Sequence, residues 1–170
     1  MASEFPHITW WCPQLPPSPK AAAKLIAEGS AQWPADRMVV IGSSLGGFYA
    51  TWLASKRDCR AALLNPAIDP ARDLTKYIGE QTAWHNPSEN FYFAPEFVDE
   101  LRQLEVGPLP HPERVWALIA KGDEVLDWRE MTARYPGAQQ VVLEGSDHAI
   151  SNFEQYLPQL FNFLNLQPAS

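Results

Sequence analysis

Hydrophobic positions along this chain gather into short strand-like runs, separated by stretches with helical spacing. The runs are Met38 to Ile41, Arg60 to Leu64, Val115 to Ala120 and Gln140 to Leu143. Runs of this length, bounded by turn residues, read as buried strands. Between them, Ala21 to Glu28 is rich in strong helix formers, and Phe48 to Ser55 reads as a second helix. After the last run, Phe153, Tyr156, Leu157, Leu160, Phe161 and Leu164 recur at helical spacing and predict a docked terminal helix. His7 to Cys12 reads as a further strand, followed by a stiff connection at Pro13, Pro16, Pro17 and Pro19. Strands alternating with helices predict a parallel sheet with crossover connections.

Residues 70–112 break this rhythm. They hold Trp84-His85-Asn86-Pro87 and the aromatic run Phe91-Tyr92-Phe93, and Pro95 then opens a helix through about Leu104. The segment reads as a small lid inserted over a site. Its aromatics would line an apolar acyl or alcohol pocket, or else simply pack on the sheet.

Chain length and composition change the picture in a limited way. With 170 residues, 46% of them hydrophobic, residues 1–170 make one compact domain. The net charge of −7 and the lack of a long basic run argue against nucleic acid and anionic membranes as partners. Cys12 and Cys59 both flank strand-like runs and read as buried thiols of a reducing compartment. No Cys/His cluster has zinc-site spacing, so neither metal nor cofactor is expected. No apolar stretch approaches a membrane span, and no signal peptide is visible.

The chemistry lies where the first of the buried runs ends. Met38 to Ile41 leads straight into Gly42-Ser43-Ser44-Leu45-Gly46, a G-x-S-x-G pattern between a strand and a helix. In that context the pattern marks a nucleophile elbow, with Ser44 on a turn so tight that side chains at 42 and 46 are expected to collide. The N–H of Leu45, at the start of the helix, is then a candidate oxyanion donor. An elbow serine needs a base, and the order is serine, acid, histidine. Of the histidines after Ser44, only His148 follows a strand, in Gly145-Ser146-Asp147-His148; it is the candidate base. His85 and His111 lie in loop-rich or proline-flanked stretches and read as surface or lid residues, and His7 as solvated. The acid should follow Val115 to Ala120, where Lys121-Gly122-Asp123-Glu124-Val125-Leu126-Asp127 stands. Asp123, in the turn, is the candidate; Asp127 and Glu124 are alternatives. Asp127 also reads as a helix N-cap, with Glu130 as its capping-box partner. Asp147 reads as a loop charge.

Taken together, the elbow Val-Ile-Gly-Ser-Ser-Leu-Gly-Gly-Phe-Tyr-Ala-Thr-Trp-Leu, Pro13-Gln14-Leu15-Pro16-Pro17, Asn65-Pro66-Ala67, Gly122 to Asp127 and Gly145-Ser146-Asp147-His148-Ala149 resemble the YqiA-type esterases. The resemblance runs over nearly the whole chain. It implies a small bacterial α/β-hydrolase: a three-layer sandwich with a mostly parallel sheet and a small lid. It implies a cytoplasmic serine esterase acting on short acyl esters, or on acyl thioesters, with Ser44 as nucleophile, His148 as base and Asp123 as acid, Asp127 staying open. Members of that family open with an apolar strand, a His-Gly-Phe type loop and a helix. Here Met1 to Pro6 resembles only the tail of that helix and His7 to Cys12 the second strand, so an N-terminal truncation or a genuinely shortened relative is expected. The lost loop carries the second oxyanion donor, and such a donor is typically worth roughly 2.7–4 kcal/mol of transition-state stabilisation. A carboxylic-ester hydrolase leads, a thioesterase is its near rival, and a non-catalytic binding protein is the reading from a different class.

Overall fold

The computed structural model describes residues 5–83 and 86–166. Trp84 and His85, the latter read above as a lid or surface residue, lie outside the described residues, as do Met1 to Glu4.

The core is built on four short strands. β1 (Val39–Ser43), β2 (Arg60–Leu64), β5 (Val115–Ala120) and β6 (Gln139–Leu143) form one sheet in the order β1-β2-β5-β6, every pair parallel. Each falls within two residues of its sequence run, because a run with apolar residues on both faces can only lie between two layers. The alternation divides those layers. Ala61, Leu63, Val115, Ala117 and Ile119 face a larger core, while Ala62, Trp116 and Leu118 face a smaller one. The larger core is covered by α1 (Pro19–Ser30), α2 (Leu45–Arg57), α4 (Pro95–Leu104) and α5 (Trp128–Arg134). The smaller is covered by a 3₁₀ turn at Phe153–Tyr156 and by α6 (Leu157–Leu164), which buries Leu160 and Leu164. A parallel sheet between two helical layers is the three-layer arrangement expected.

Helix ends follow from local chemistry. Ser18 caps α1 by accepting the Ala21 N–H at 3.1 Å, with Pro19 in the first turn. Ser18 and the Lys20 N–H also bind Glu100 of α4, at 2.7 and 3.0 Å, tying that helix to the start of α1. Asp127 caps α5 as expected, but Glu130 does not complete a capping box. Its carboxylate instead meets Arg72 of α3 (Pro70–Leu74) in a two-pronged contact, both bonds 2.8 Å. A guanidinium fork matches a carboxylate better than one backbone N–H does.

Residues 70–112 are more ordered than a loop-rich segment. After α3 comes an antiparallel pair, β3 (Gly79–Ala83) and β4 (Asn86–Phe93), and then α4. Phe93 is buried and meets Phe97 edge-on, with ring centroids 5.5 Å apart, and Phe91 packs on the larger core. Tyr92 points outward, 55% exposed.

The expected strand at His7 to Cys12 is not there. Ile8, Thr9, Trp10 and Trp11 have strand-type side chains, but a strand also needs a ladder partner, and among the described residues this segment has none. Phe5 and Pro6 are likewise non-helical. The segment crosses α1 instead: the Trp11 ring lies where a side chain at Gly29 would be, and meets Trp33 at 6.3 Å. Cys12 is therefore exposed, against expectation, while Cys59 is buried and desolvation pushes its thiol up to about 11.

Candidate active site

The C-terminal ends of β1, β5 and β6 carry the three candidate residues to one place. Ser44 follows β1 directly and has φ 54° and ψ −123°. A non-glycine residue in such a region costs of order 1–3 kcal/mol and persists only where its surroundings fix it. Here the Ser44 N–H donates to Leu64 O at 3.0 Å, and its carbonyl accepts from Gly47, Phe48 and Ala67 at 2.9, 3.3 and 2.9 Å. The backbone is pinned on both sides and the hydroxyl is left to project.

The glycines of the turn divide their work differently from the expectation. A Cβ on Gly42 would lie 2.1 Å from the Gly46 carbonyl oxygen, so that position has no room. A Cβ on Gly46 would meet nothing within 4 Å, so the collision at 46 is not found. The second close approach is at Gly47, where a Cβ would be 2.7 Å from Pro66 Cβ. That contact seats α2 on the turn after β2.

His148 Nε2 lies 3.0 Å from Ser44 Oγ, and its Nδ1 lies 2.8 Å from Asp123 Oδ2. The Asp123 side chain is fully buried and the imidazole 23% exposed. The other Asp123 oxygen, Oδ1, accepts the N–H groups of Val125 and Leu126 at 2.8 and 2.9 Å. A carboxylate with both oxygens engaged cannot rotate away from the imidazole. The alternatives go elsewhere. Asp127 accepts the Arg129 N–H at 2.9 Å at the start of α5. Glu124 reaches the base through main chain, its Oε2 accepting the His148 N–H at 3.0 Å. Asp147 holds the Ser151 N–H and hydroxyl, and these bonds keep its carboxyl below the usual range, as a loop charge. Leu45 is the first residue of α2, so its N–H has no partner within the helix. His111 is on the surface beside Glu113, and His7 is exposed.

Two roles escaped sequence reasoning. Asn65 is fully buried among the mounts of these residues, and Glu124 holds main chain rather than imidazole. The signals for Asn65 were its place at a strand's C-terminal end before a proline and the Asn65-Pro66-Ala67 motif. Among the described residues no group of three His, Cys, Asp or Glu side chains could hold a metal. Among the described residues no helix is long and apolar enough to cross a membrane. A cavity of about 210 Å³ lies behind α2, lined by Phe48, Thr51, Ala67, Ile68 and Tyr135, and none of Ser44, Asp123 or His148 borders it.

The family model of the uncharacterised protein family UPF0227 matches residues 1–165. Solved structures with the same fold include a putative hydrolase from Agrobacterium vitis S4, at 15% identity and TM-score 0.67, over 86% of this chain and 69% of that one. Est1E from Butyrivibrio proteoclasticus is similar at 17% identity and TM-score 0.56, over 83% of this chain and 65% of that one. A monoacylglycerol lipase from Paleococcus ferrophilus is similar at 16% identity and TM-score 0.56, over 86% and 75% of the two chains. At such identities the likeness shows the fold, which is that of the α/β-hydrolases.

Proposed function

We propose, from the premise that this chain belongs to the UPF0227 family, the YqiA family, that it is a serine hydrolase cleaving short-chain carboxylic esters through an acyl-enzyme. The observation that carries the reading is the continuous line Ser44 Oγ, His148, Asp123, at 3.0 and 2.8 Å. A serine hydroxyl within reach of an imidazole that a buried carboxylate orients is the arrangement that activates a hydroxyl as a nucleophile, the proton passing to the imidazole and the carboxylate staying ionised.

In this reading His148 Nε2 takes the proton as Ser44 Oγ attacks the acyl carbonyl. Asp123 holds the proton on Nδ1, so that Nε2 presents its lone pair, and it stabilises the imidazolium. The Leu45 N–H, at the positive end of α2, faces the developing oxyanion. The imidazolium then protonates the leaving alcohol, and a water activated by His148 releases the acid and restores Ser44. Residues 70–112 act as the lid. The partner is a small-molecule acyl ester. An acyl thioester is served by the same residues, so matched oxygen esters and thioesters decide between the two by their kcat/KM.

The test is labelling with a fluorophosphonate probe, read by intact mass, on this chain and on Ser44→Ala. A single adduct on the first and none on the second is expected. A folded chain that takes no label would overturn the reading and favour a non-catalytic binding protein.

A further inference from the structure

We infer that Asn65 is a positioning residue for the base: its one amide fixes the main chain that carries His148 to the strand end that leads into Asp123. The inference rests on the serine-hydrolase reading for its meaning, and on geometry for its content. Asn65 Nδ2 donates to two consecutive carbonyls, Asp147 O and His148 O, both at 3.0 Å. Its Oδ1 accepts the Ala120 N–H at 2.8 Å, at the end of β5 and three residues before Asp123. Its own N–H continues the ladder to Leu118 O at 3.0 Å. The residue before it, Leu64, supplies the carbonyl that holds the Ser44 N–H. One fully buried side chain thus joins the supports of His148 and Asp123, and the main chain of the residue before it holds Ser44.

The chemistry selects asparagine at this position. The site offers two carbonyls on one side and one N–H on the other, so it needs two donors and one acceptor on a short planar group. The opposite amide orientation would set an oxygen against two oxygens. Aspartate keeps the acceptor and the size but has no donors, and it would bury a charge against two carbonyls. Leucine has the bulk and neither function. The backbone agrees, since Asn65 has φ 40°, in the left-handed region that asparagine tolerates better than most residues.

A second hold acts from the solvent side on the first of these peptide units, between Asp147 and His148. Glu124 Oε2 accepts the His148 N–H at 3.0 Å. Asn65 and Glu124 together fix the main chain on both sides of the His148 Cα, and Asp123 fixes the ring. An imidazole mounted this way keeps Nε2 facing Ser44 without relying on the stiffness of its loop. Small displacements of a base cost rate steeply, because proton transfer needs a near-ideal heavy-atom distance.

The experiment compares wild type with Asn65→Ala, Asn65→Asp and Glu124→Ala, using two readouts on folded protein. The first is the rate of fluorophosphonate labelling, with kcat and KM for p-nitrophenyl acetate. The second is the downfield proton resonance of His148 Nδ1–H, which reports its bond to Asp123 without any turnover. Asn65→Ala and Asn65→Asp are expected to lower labelling and kcat at least tenfold, with KM changed less than about twofold, and to broaden or lose the resonance. Glu124→Ala, at an exposed residue that leaves the fold intact, should lower kcat several-fold by loosening the same main chain. An unchanged resonance and labelling rate in folded Asn65 variants would show a purely structural asparagine and overturn the inference. Should the Asn65 variants not fold, Glu124→Ala decides: wild-type kcat and resonance in it would overturn the two-sided mount. If wild type itself takes no label, the hydrolase reading fails, and the resonance still decides whether Asn65 positions His148.

Discussion

At the scale of single residues, the site depends on a few atoms that have no room to move. Asp123 shows this best, its two oxygens divided between the His148 imidazole and the N–H groups of its own turn. Asp123→Asn keeps the shape but offers the imidazole an N–H in place of an acceptor, or turns its oxygen away from the turn. A wrong tautomer of that kind lowers kcat by roughly 10⁴ elsewhere, and a fall of at least about 10³, with little change in KM, is expected in steady-state kinetics here. The elbow glycines give a paired prediction. Gly47→Ala would push a methyl group into Pro66 and should cost about 1–3 kcal/mol by thermal or urea unfolding. Gly46→Ala, with open space around it in the first turn of α2, should be neutral or slightly stabilising in the same measurement. That Ser44, Asp123 and His148 would meet was legible because the proposed chemistry requires particular residues after particular strands. The sequence did not reveal which neighbour each glycine touches, since Pro66 meets Gly47 only after two strands have paired.

At the scale of elements, the four strands of the parallel sheet were legible to within two residues, and so was the Asp127 cap. Apolar runs and N-cap side chains act locally, so the chain displays them openly. The partners of charged side chains were not legible. Glu130 was expected to serve its own helix and serves Arg72, 58 residues away in sequence. The hairpin of β3 and β4 was missed because Gly79 to Phe93 lacks the apolar alternation that marks a half-buried strand. Glu80, Thr82, Ser88 and Asn90 are exposed, while Phe91 and Phe93 reach the core. Asp127 supplies the test at this scale. It caps α5 and has no part in the proposed proton path, so Asp127→Ala should cost about 0.5–2 kcal/mol of stability and leave kcat unchanged. Denaturant unfolding beside kinetics would show it, and a large fall in kcat instead would return Asp127 to the proton path.

At the scale of the whole molecule, the family and the α/β-hydrolase fold were legible from motifs spread over most of the chain, whereas His7 to Cys12 was misread. Strand-forming composition is a property of a segment, but a strand is a property of a pair. Between α3 and α5 the Arg72–Glu130 contact carries a pH signature. Arg72 holds the Glu130 carboxyl below its usual range, so the contribution is fully present above the ordinary glutamate range and is lost progressively as pH falls from that range through the depressed value. Both side chains are largely exposed, so the contribution is below about 1 kcal/mol. The difference in Tm between wild type and Glu130→Gln should therefore be small near neutral pH and vanish on acidification; a difference that grew in acid would contradict the pairing. The N–H groups of Ser44, Asn65 and Lys121 each bond to a carbonyl of the neighbouring strand, at 3.0, 3.0 and 2.9 Å. These three amides therefore belong to the sheet, although they lie at the rim where Ser44, Asp123 and His148 meet. In deuterated solvent they should exchange as slowly as the strand interiors, and only through global opening, so that the site would keep its shape until the moment the whole domain lets go.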